Sequence, residues 1–247
     1  MESLGGKLAL VTGAAGVVGE AVCRRLIADG LTVIMVDLDS KKFTALAEEI
    51  GEHAVSIACD VSDPETVAAA CARVRGEYGN VDVLVNNAGI LSNNKAAETA
   101  PDEWRKLMGV NLDGAFYLAR EWLPGMKGKK WGRIVNICSL AAKTGGLTAG
   151  TAYTTSKGGM TALTLSLARE SAGQGVTANG ISPAYINTPM VTEQLNEEQR
   201  QKLLADIPVG RFCEAEEVAH VVRFLVSPMS GFITGEIIDI NGGLHMD

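Results

Sequence analysis

Short apolar runs alternate along this chain with stretches in which apolar residues recur every three or four positions. Runs of five or six apolar residues bounded by glycine or polar residues are typical of strands buried on both faces of a sheet. Apolar residues at helical spacing predict amphipathic helices that pack one face against such a sheet. The predicted strands are 7–12, 31–36, 54–59, 81–85, 133–138, 176–181 and 236–240. The clearest predicted helices are 20–29, 101–122, 152–172 and 214–226.

The order of these elements indicates the fold class. Strands joined by helical crossovers lie parallel, and the helices cover both faces of the sheet. We therefore predict an α/β protein with a Rossmann-type, doubly wound, seven-stranded and mostly parallel sheet. Neither a linker nor an internal repeat interrupts the alternation, so we expect residues 1–247 to form a single domain.

A glycine-rich turn joins the first predicted strand to the first helix. Gly13 permits a tight turn, Gly16 lets the backbone approach a pyrophosphate, and Gly19 lets the helix pack close to the sheet. The N-terminus of the helix adds unpaired N–H groups and the positive end of its dipole. Within a strand–turn–helix–strand unit, this pattern predicts a dinucleotide-binding domain.

Asp37, at the end of the second predicted strand, indicates which dinucleotide binds. A carboxylate at that position can accept hydrogen bonds from the adenosine ribose hydroxyls of NAD, and it repels the additional phosphate of NADP. No basic residue precedes the glycine pattern in the turn, and Lys41 and Lys42 follow Asp37 by several residues. We therefore predict NAD rather than NADP. A solvated acid at a strand end is the alternative.

Tyr153 and Lys157 are four residues apart in one predicted helix, which places both side chains on the same face. A positive charge beside a phenol favours phenolate, so we expect the pKa of Tyr153 to fall below its ordinary value of about 10. Ser139 follows the fifth predicted strand and could hydrogen-bond the oxygen that Tyr153 protonates. Such a spacing also occurs in helices without a catalytic role. An active site is favoured because the glycine turn, two strand-end carboxylates and Ser139 converge at the carboxyl ends of the strands.

The composition excludes several classes of protein. Apolar residues at 47% and charged residues at 21% describe an ordinary globular chain, and a net charge of −7 argues against a nucleic-acid-binding protein. No apolar run approaches the roughly 20 residues of a membrane span. The N-terminus does not resemble a signal peptide, so we expect cytoplasmic residence and no membrane contact.

The cysteines and histidines form no recognisable metal site. Five scattered cysteines lack a C-x-x-C spacing, and three histidines show no ligand spacing, so no metal is expected. Cys138 adjoins Ser139 and could act as a nucleophile. Its position in a strand and the lack of a nearby histidine favour packing instead.

Motifs spread over essentially the whole chain resemble the classical branch of the short-chain dehydrogenase/reductase family. They are Thr12-Gly13 through Gly19, Asp60, Asn86-Asn87-Ala88-Gly89, Asn111, Ser139, Tyr153-x-x-x-Lys157, Ser182-Pro183 through Thr188, and Asp239-Ile240-Asn241-Gly242-Gly243. The resemblance implies an NAD(P)-binding oxidoreductase that interconverts an alcohol and a carbonyl group by hydride transfer.

The resemblance also implies catalytic roles. Tyr153 would be the general acid in reduction and the base in oxidation, and Ser139 would orient and polarise the carbonyl. Lys157 would bind the nicotinamide ribose and lower the pKa of Tyr153. Asn111, placed mid-helix by the periodicity, would hold a water that links Lys157 to solvent.

The cofactor contacts follow from the same resemblance. Asp60 and Val61 would hold the adenine, and Asn87 would line the cleft. Ile186 and Thr188 would fix the carboxamide. The full implied set is Gly13, Gly16, Val18, Gly19, Asp37, Asp60, Val61, Asn87, Ala88, Gly89, Tyr153, Lys157, Pro183, Ile186 and Thr188.

Two positions depart from the family pattern. Val17 stands where the classical branch has a glycine, so the glycine spacing resembles the extended branch, which carries a large C-terminal substrate region. Too few residues follow Ser182 for such a region, which favours the classical branch. Ala184 replaces the usual glycine after the proline and would reshape the loop over the nicotinamide.

The substrate is less well indicated. Residues 187–210 are predicted to form a lid whose apolar side would suit a hydrophobic or acyl ketone. The residues on that apolar side are Met190, Val191, Leu195, Leu203 and Leu204. A pair of helices that only caps the sheet is the alternative.

Three functions remain open at this point. We favour an NAD-dependent dehydrogenase of a secondary alcohol, with a small-molecule ketone or alcohol as substrate. The tail and residues 207–212 resemble 3-oxoacyl-thioester reductases, so a reductase of acyl-carrier-protein or CoA thioesters is the second interpretation. A non-catalytic dinucleotide sensor or scaffold is the third, and the complete catalytic set argues against it.

Possible partners follow from charge and from the resemblance. An acyl carrier protein is acidic and needs a basic docking patch, which Lys127, Lys129, Lys130 and Arg133 could supply. Gln174 stands near a position where such reductases often have arginine. The family resemblance implies a homotetramer, with residues 104–122 and the Tyr153 helix in one interface and the C-terminal strand in another.

Overall fold

One sheet of seven parallel strands runs through the protein. The computed structural model describes residues 4–38, 41–188 and 196–246. The strands are β1 Leu8–Thr12, β2 Thr32–Asp37, β3 Ala54–Ala58, β4 Val83–Asn86, β5 Gly132–Ile137, β6 Val176–Pro183 and β7 Ile237–Ile240. Their spatial order is β3-β2-β1-β4-β5-β6-β7, and each neighbouring pair is parallel. The predicted doubly wound α/β fold is confirmed, and all six pairings are parallel rather than most of them.

Helices cover both faces of this sheet. They are α1 Val17–Ala28, α2 Lys41–Ile50, α3 Pro64–Glu77, α4 Pro101–Met108, α5 Gly114–Lys129, α6 Ala141–Thr144, α7 Thr151–Ser171, α8 Glu197–Asp206 and α9 Ala215–Val226. One face is packed by α1 and α9 through side chains such as Leu26 and Val222. The other is packed by α3, α5 and α7 through side chains such as Val67, Trp122 and Leu167. Alternate residues of each central strand enter the two clusters, which is why the central strands are mostly apolar.

The predicted helix 101–122 is two helices separated by a π-helical segment. The segment is Gly109–Asp113, and α5 continues beyond Trp122 to Lys129 with Pro124 inside it. Asn111, in the segment, is fully buried and hydrogen-bonds both backbone groups of Ile90. These bonds hold the π-helical segment in place. Single-turn π-bulges of this kind are frequent at functional sites.

A buried chain of hydrogen bonds ties α7 to the middle of the sheet. The Asn86 amide in β4 donates to the Asn136 carbonyl in β5 at 2.8 Å, and the Asn136 amide donates to Thr164 Oγ1 in α7 at 2.8 Å. All three side chains are buried. Hydrogen bonds between buried side chains favour one arrangement of the elements that carry them, so this chain sets the position of α7 along the sheet.

Gly19 lets α1 sit directly on the turn that follows β1. A Cβ built on Gly19 would lie 2.0 Å from the Gly13 carbonyl oxygen and 2.8 Å from Ala14 Cα. Both are backbone atoms that cannot rotate away. The close approach of α1 to the glycine turn therefore requires a residue without a side chain.

Two glycine-to-alanine substitutions should have opposite effects. Gly19→Ala should lower the free energy of unfolding by about 1–3 kcal/mol, because overpacking forces the helix away from the turn. Gly76→Ala, within α3, should raise it by up to about 1 kcal/mol, because its Cβ meets nothing within 4 Å and alanine favours the helix. Urea unfolding of both variants measures the difference, and equal effects would contradict this account of Gly19.

Candidate active site

A large cleft lies at the carboxyl ends of the strands. Its volume is about 810 Å³, within the range of small-molecule and cofactor sites. The candidate residues that line it are Gly13, Gly16, Val18, Gly19, Asp37, Asp60, Val61, Asn87, Ala88, Gly89, Ser139, Tyr153, Lys157, Pro183, Ile186 and Thr188. Asn111 is the one candidate that does not line the cleft; it lies behind the wall. The fold therefore brings together residues that are up to 175 positions apart.

The glycine turn forms one wall of the cleft. Gly13 adopts φ +63°, in the left-handed region, and a Cβ there would lie 2.9 Å from Ala88 Cα. Gly16 is the N-cap of α1, and no side chain caps the N–H groups of that helix. An uncapped helix N-terminus behind a close-packed glycine turn is a suitable site for phosphate groups. These residues fit the pyrophosphate of a dinucleotide.

Asp37 lies beside the glycine turn at the end of β2. Its Oδ2 accepts a hydrogen bond from the Ala15 backbone N–H at 2.8 Å, and its Oδ1 accepts one from the Leu38 N–H at 2.8 Å. These bonds fix the carboxylate at the cleft wall. A carboxylate has about four acceptor positions, so Asp37 can still accept hydrogen bonds from ribose hydroxyls. Asp60, further along the wall, accepts from the Ser62 backbone and hydroxyl at 2.9 and 2.6 Å.

The segment after β4 is fastened to the glycine turn. The Asn87 amide donates to the carbonyls of Thr12 and Gly13 at 3.0 and 3.1 Å. The backbone N–H groups of Asn87 and Ala88 both donate to Thr12 Oγ1 at 3.0 Å. Thr12 was not among the predicted site residues. Its signal in the sequence was its place immediately before Gly13, where a hydroxyl can hold the neighbouring strand end.

Lys157 is almost fully buried in the wall of the cleft, with 4% of its surface exposed. Its Nζ donates to the Ile137 carbonyl at 2.6 Å and lies 5.9 Å from the centre of the Tyr153 ring. Burial disfavours the charged ammonium and lowers the pKa of Lys157 to about 8.

Tyr153 differs from expectation in its ionisation. Burial raises the pKa of its phenol above the ordinary value, and hydrogen bonding with Ser139 only partly opposes that rise. The predicted lowering of the Tyr153 pKa by Lys157 is therefore wrong for this structure. The physical reason is that desolvation of the phenolate is the largest effect, while the Lys157 ammonium donates its hydrogen bond to the Ile137 carbonyl. At neutral pH the phenol holds its proton.

Asn111 and Lys157 approach each other across Gly89. A Cβ built on Gly89 would lie 3.5 Å from Asn111 Oδ1 and 3.5 Å from Lys157 Nζ. Glycine at this position leaves polar space between the two side chains. The Asn111 amide also donates to Ser156 Oγ at 3.1 Å, which ties the π-helical segment to α7.

Cys138 does not fit the role of a nucleophile. Its side chain is 1% exposed, and burial raises the pKa of its thiol. A reactive cysteine needs an accessible thiolate, so the interpretation as a packed residue is favoured.

Comparisons with known proteins agree with this geometry. The family model described as enoyl-(acyl carrier protein) reductase matches residues 13–245. The 3-oxoacyl-[acyl-carrier-protein] reductase FabG of Vibrio cholerae is 40% identical over 245 residues, which cover 99% of both chains. The chain belongs to the short-chain dehydrogenase/reductase family. It is therefore an oxidoreductase, and a nicotinamide dinucleotide is the class of cofactor that family membership supports.

Solved structures of this family show the same fold. The short-chain dehydrogenase/reductase of Brucella melitensis described as a glucose/ribitol dehydrogenase superposes with a TM-score of 0.92, at 32% identity and 100% coverage of both chains. A candidate gluconate dehydrogenase of Agrobacterium tumefaciens superposes with a TM-score of 0.93, at 33% identity, covering 98% of this chain and 97% of its own.

The cleft is also lined by residues that the sequence did not reveal, and this set is called the outer lining; we propose below that it binds the substrate. Its members are Leu91, Asn93, Leu140, Thr144, Leu147, Thr148, Ala149, Tyr185 and Leu244. Thr148 Oγ1 and the Tyr185 hydroxyl lie 3.3 Å apart, and the Tyr185 ring packs on Phe212 with 6.0 Å between ring centres. The available signal was position: several of these residues lie between Ser139 and Tyr153.

The predicted lid falls partly outside the described residues. Met190, Val191 and Leu195 lie in that part. In the described part of 187–210, Thr188 lines the cleft and α8 does not. The lid stays a prediction.

The predicted basic docking patch is not a free cationic surface. Arg133 is 4% exposed, and its guanidinium donates to the Gly132 carbonyl. Lys127 pairs with Glu170 at 3.1 Å and Lys129 with Asp82 at 2.8 Å. The patch surrounds the amino end of β5, whereas Ser139 follows its carboxyl end.

The described ranges contain neither a membrane-spanning helix nor a metal-binding cluster. No helix in them is both long enough and apolar enough to span a bilayer. No group of three or more His, Cys, Asp or Glu side chains in them is arranged to hold a metal ion.

The buried ammonium of Lys157 should leave a signature in the pH dependence of stability. Since folding lowers the pKa of Lys157 from 10.5 to about 8, the unfolded chain binds more protons between those values. The free energy of unfolding of the wild type should therefore rise relative to Lys157→Met as the pH increases through that window, by up to roughly 3 kcal/mol.

Urea unfolding of the two proteins from about pH 7 to about pH 11 measures this difference. Lys129→Met, at a partly exposed lysine, controls for the general effect of removing a positive charge. A difference that stays constant across the window would contradict the effect of burial on Lys157.

Proposed function

We propose that this protein is an NAD-dependent oxidoreductase that interconverts a secondary alcohol and a ketone. The observation that carries the proposal is the convergence of Ser139, Tyr153 and Lys157 at one end of a cleft whose other end holds the glycine turn and Asp37. A dinucleotide bound along this wall would bring its nicotinamide ring close to Tyr153. Its contacts would be the predicted set from Gly13 to Thr188.

Tyr153 would transfer the proton of the reaction. The raised pKa keeps the phenol protonated at neutral pH, so it can donate to the carbonyl oxygen of a ketone. Ser139, hydrogen-bonded to the same phenol, would donate to that oxygen and hold the carbonyl in place. A bound nicotinamide supplies or accepts the hydride, and in alcohol oxidation Tyr153 would take the proton back.

Lys157 and Asn111 would return a proton to Tyr153 after it has donated its own. A lysine with a pKa near 8 exchanges protons readily around neutral pH, and its ammonium, in the wall of the cleft, would bind a ribose hydroxyl. The polar space beside Gly89, flanked by Asn111 and Lys157, suits a water that passes protons to solvent. This arrangement supports the role proposed for Asn111 although it does not line the cleft.

NAD rather than NADP is proposed because of Asp37. Two backbone hydrogen bonds hold its carboxylate where a ribose would lie, and a phosphate there would meet the same negative charge. Reduction of 3-oxoacyl thioesters with NADPH is the second candidate. It is supported by the 40% identity to the FabG protein of Vibrio cholerae.

The outer lining of the cleft would bind the substrate and favours a ketone with apolar substituents. Leucine and alanine side chains form most of it, and the Thr148 and Tyr185 hydroxyls supply polar contacts. Both an alcohol dehydrogenase and an acyl-thioester reductase are compatible with this lining. A free or CoA-linked thioester is favoured over a carrier protein, because most of the predicted docking lysines and Arg133 are occupied.

A homotetramer and cytoplasmic residence stay predictions. The tetramer is supported by large apolar side chains that are exposed on the predicted interface elements. Trp104 in α4 is 38% exposed, and Phe116 in α5 is 47% exposed. Met229 and Phe232, which precede β7, are 81% and 102% exposed. Patches of this kind usually mark contacts between proteins.

Loss of the Tyr153 hydroxyl should abolish turnover. Tyr153→Phe should lower kcat by about 10²–10⁴-fold, because the proton donor is lost while the ring still fills its place. Initial rates with NADH on a panel of ketones that includes acetoacetyl thioesters provide the measurement. Retained activity in the variant would refute the proposed mechanism, and cofactor binding without turnover of any ketone by the wild type would favour a sensor.

Asp37 should determine the cofactor. Asp37→Asn should raise the ratio of kcat/KM with NADPH to that with NADH by about tenfold to a hundredfold, because one charge that repels the phosphate is removed. Asp60→Asn, at the other predicted carboxylate of this wall, should leave that ratio within about threefold. A wild-type preference for NADPH would overturn the proposed role of Asp37 and place the thioester reductase first.

A further inference from the structure

The helix that carries Tyr153 begins without a cap of its own. Its N-cap residue is Gly150, and no side chain caps α7. The backbone carbonyls of another segment take that role. The Gly150 N–H donates to the Ser92 carbonyl at 2.8 Å, and the Thr151 N–H donates to the Asn94 carbonyl at 3.0 Å. Tyr153 follows in the same first turn, so its position depends on this contact.

The contact is close enough to exclude any side chain. A Cβ on Gly150 would lie 2.3 Å from the Asn94 carbonyl oxygen and 2.8 Å from Asn93 C. The backbone of residues 92–94 therefore packs directly against the start of α7. Any shift of this segment changes both the first hydrogen bonds of the helix and the space in front of Tyr153.

Glu103 holds this segment with both of its carboxylate oxygens. The Ser92 hydroxyl donates to Oε1 in a short hydrogen bond, and the Asn94 amide donates to Oε2 at 2.9 Å. Ser92 Oγ in turn accepts from the Asn94 backbone N–H at 3.1 Å. Hydrogen bonding from Ser92 and Asn94 lowers the pKa of Glu103, so the carboxylate is charged at neutral pH.

Lys95 fastens the same segment to the loop before α7. Its Nζ donates to the Ala149 carbonyl at 2.7 Å and to the Gly146 carbonyl at 3.2 Å. Ala149 belongs to the outer lining of the cleft. Residues 92–95 are thus hydrogen-bonded both to the loop before Gly150 and to the first turn of α7.

We propose that Glu103 is a positioning residue for Tyr153, acting through Ser92 and Asn94 on the first turn of α7. The inference rests on the proposed function of Tyr153 as the acid and base. Glu103 lies on α4, is not among the residues that line the cleft, and acts on the rate only through the placement of the phenol.

The test compares three variants in the full-length protein. Glu103→Ala removes both acceptors, and Glu103→Gln keeps one acceptor and can restore part of the network. Asp102→Asn is the matched control, because Asp102 precedes Glu103 on α4, is 95% exposed and pairs with Arg105 on the surface. Amide hydrogen exchange of residues 150–154 and steady-state kinetics are measured for each.

We expect exchange at Gly150 and Thr151 to be about tenfold faster in Glu103→Ala and intermediate in Glu103→Gln, with β5 unchanged. The kcat should fall about tenfold in Glu103→Ala, with the KM for the dinucleotide within about twofold, because only the geometry of proton transfer changes. Asp102→Asn should match the wild type in both measurements.

Three results would overturn the inference. The first is unchanged amide exchange at Gly150 and Thr151 in both Glu103 variants. The second is an equal acceleration of amide exchange in β5, which would indicate general destabilisation. The third is an unchanged kcat despite faster exchange at Gly150 and Thr151. Tyr153→Phe, measured in parallel, separates the two levels. If it retains activity the proposed function fails, whereas if it is inactive and Glu103→Ala is fully active only the positioning role fails.

Discussion

A buried ammonium group at the carboxyl end of β5 constrains the whole catalytic half of the cleft. Removing a charge from water costs several kcal/mol even after relaxation, so such a group persists only where fixed polar partners surround it. Lys157 has the Ile137 carbonyl as a direct partner and Asn111 across Gly89. The end of β5, the π-helical segment and the first turns of α7 must all be in place before these partners meet.

The position of Asn111 in turn depends on the π-helical segment. An ordinary helix would place Asn111 differently and leave the backbone groups of Ile90 without their partner. The extra residue in the turn lets one amide side chain satisfy a donor, an acceptor and Ser156 at once. Gly114, at the start of α5, lets the helix pack closely against Val61. A Cβ built on Gly114 would lie 2.8 Å from the Val61 carbonyl oxygen. Local irregularity here serves hydrogen bonding of buried groups.

Periodicity explains what could be predicted from the sequence and what could not. Apolar runs indicated the strands to within two residues, because strands buried on both faces are nearly continuous runs of apolar residues. The π-helical segment escaped prediction because one inserted residue leaves the pattern of apolar positions nearly unchanged. The contact of Ser92 and Asn94 with Gly150 also escaped, because hydrogen bonds between backbone groups leave no mark on side-chain patterns. Arg133 looked like a surface charge, and burial against distant carbonyls could not be read from its neighbours.

The pairing of β1 with β4 has a consequence for how this protein is made. Ala9 lies beside Val83, and the turn at Gly13 is completed by Asn87, so the cleft is assembled from parts far apart in the chain. Such long-range pairing is slow, because the entropy of closing large loops is lost before the contacts form. A growing or partly folded chain therefore has no cleft to offer a dinucleotide. A ligand that binds only the native state stabilises it by RT ln(1 + [L]/Kd), so a bound dinucleotide would stabilise the completed fold and leave the unfinished chain unaffected.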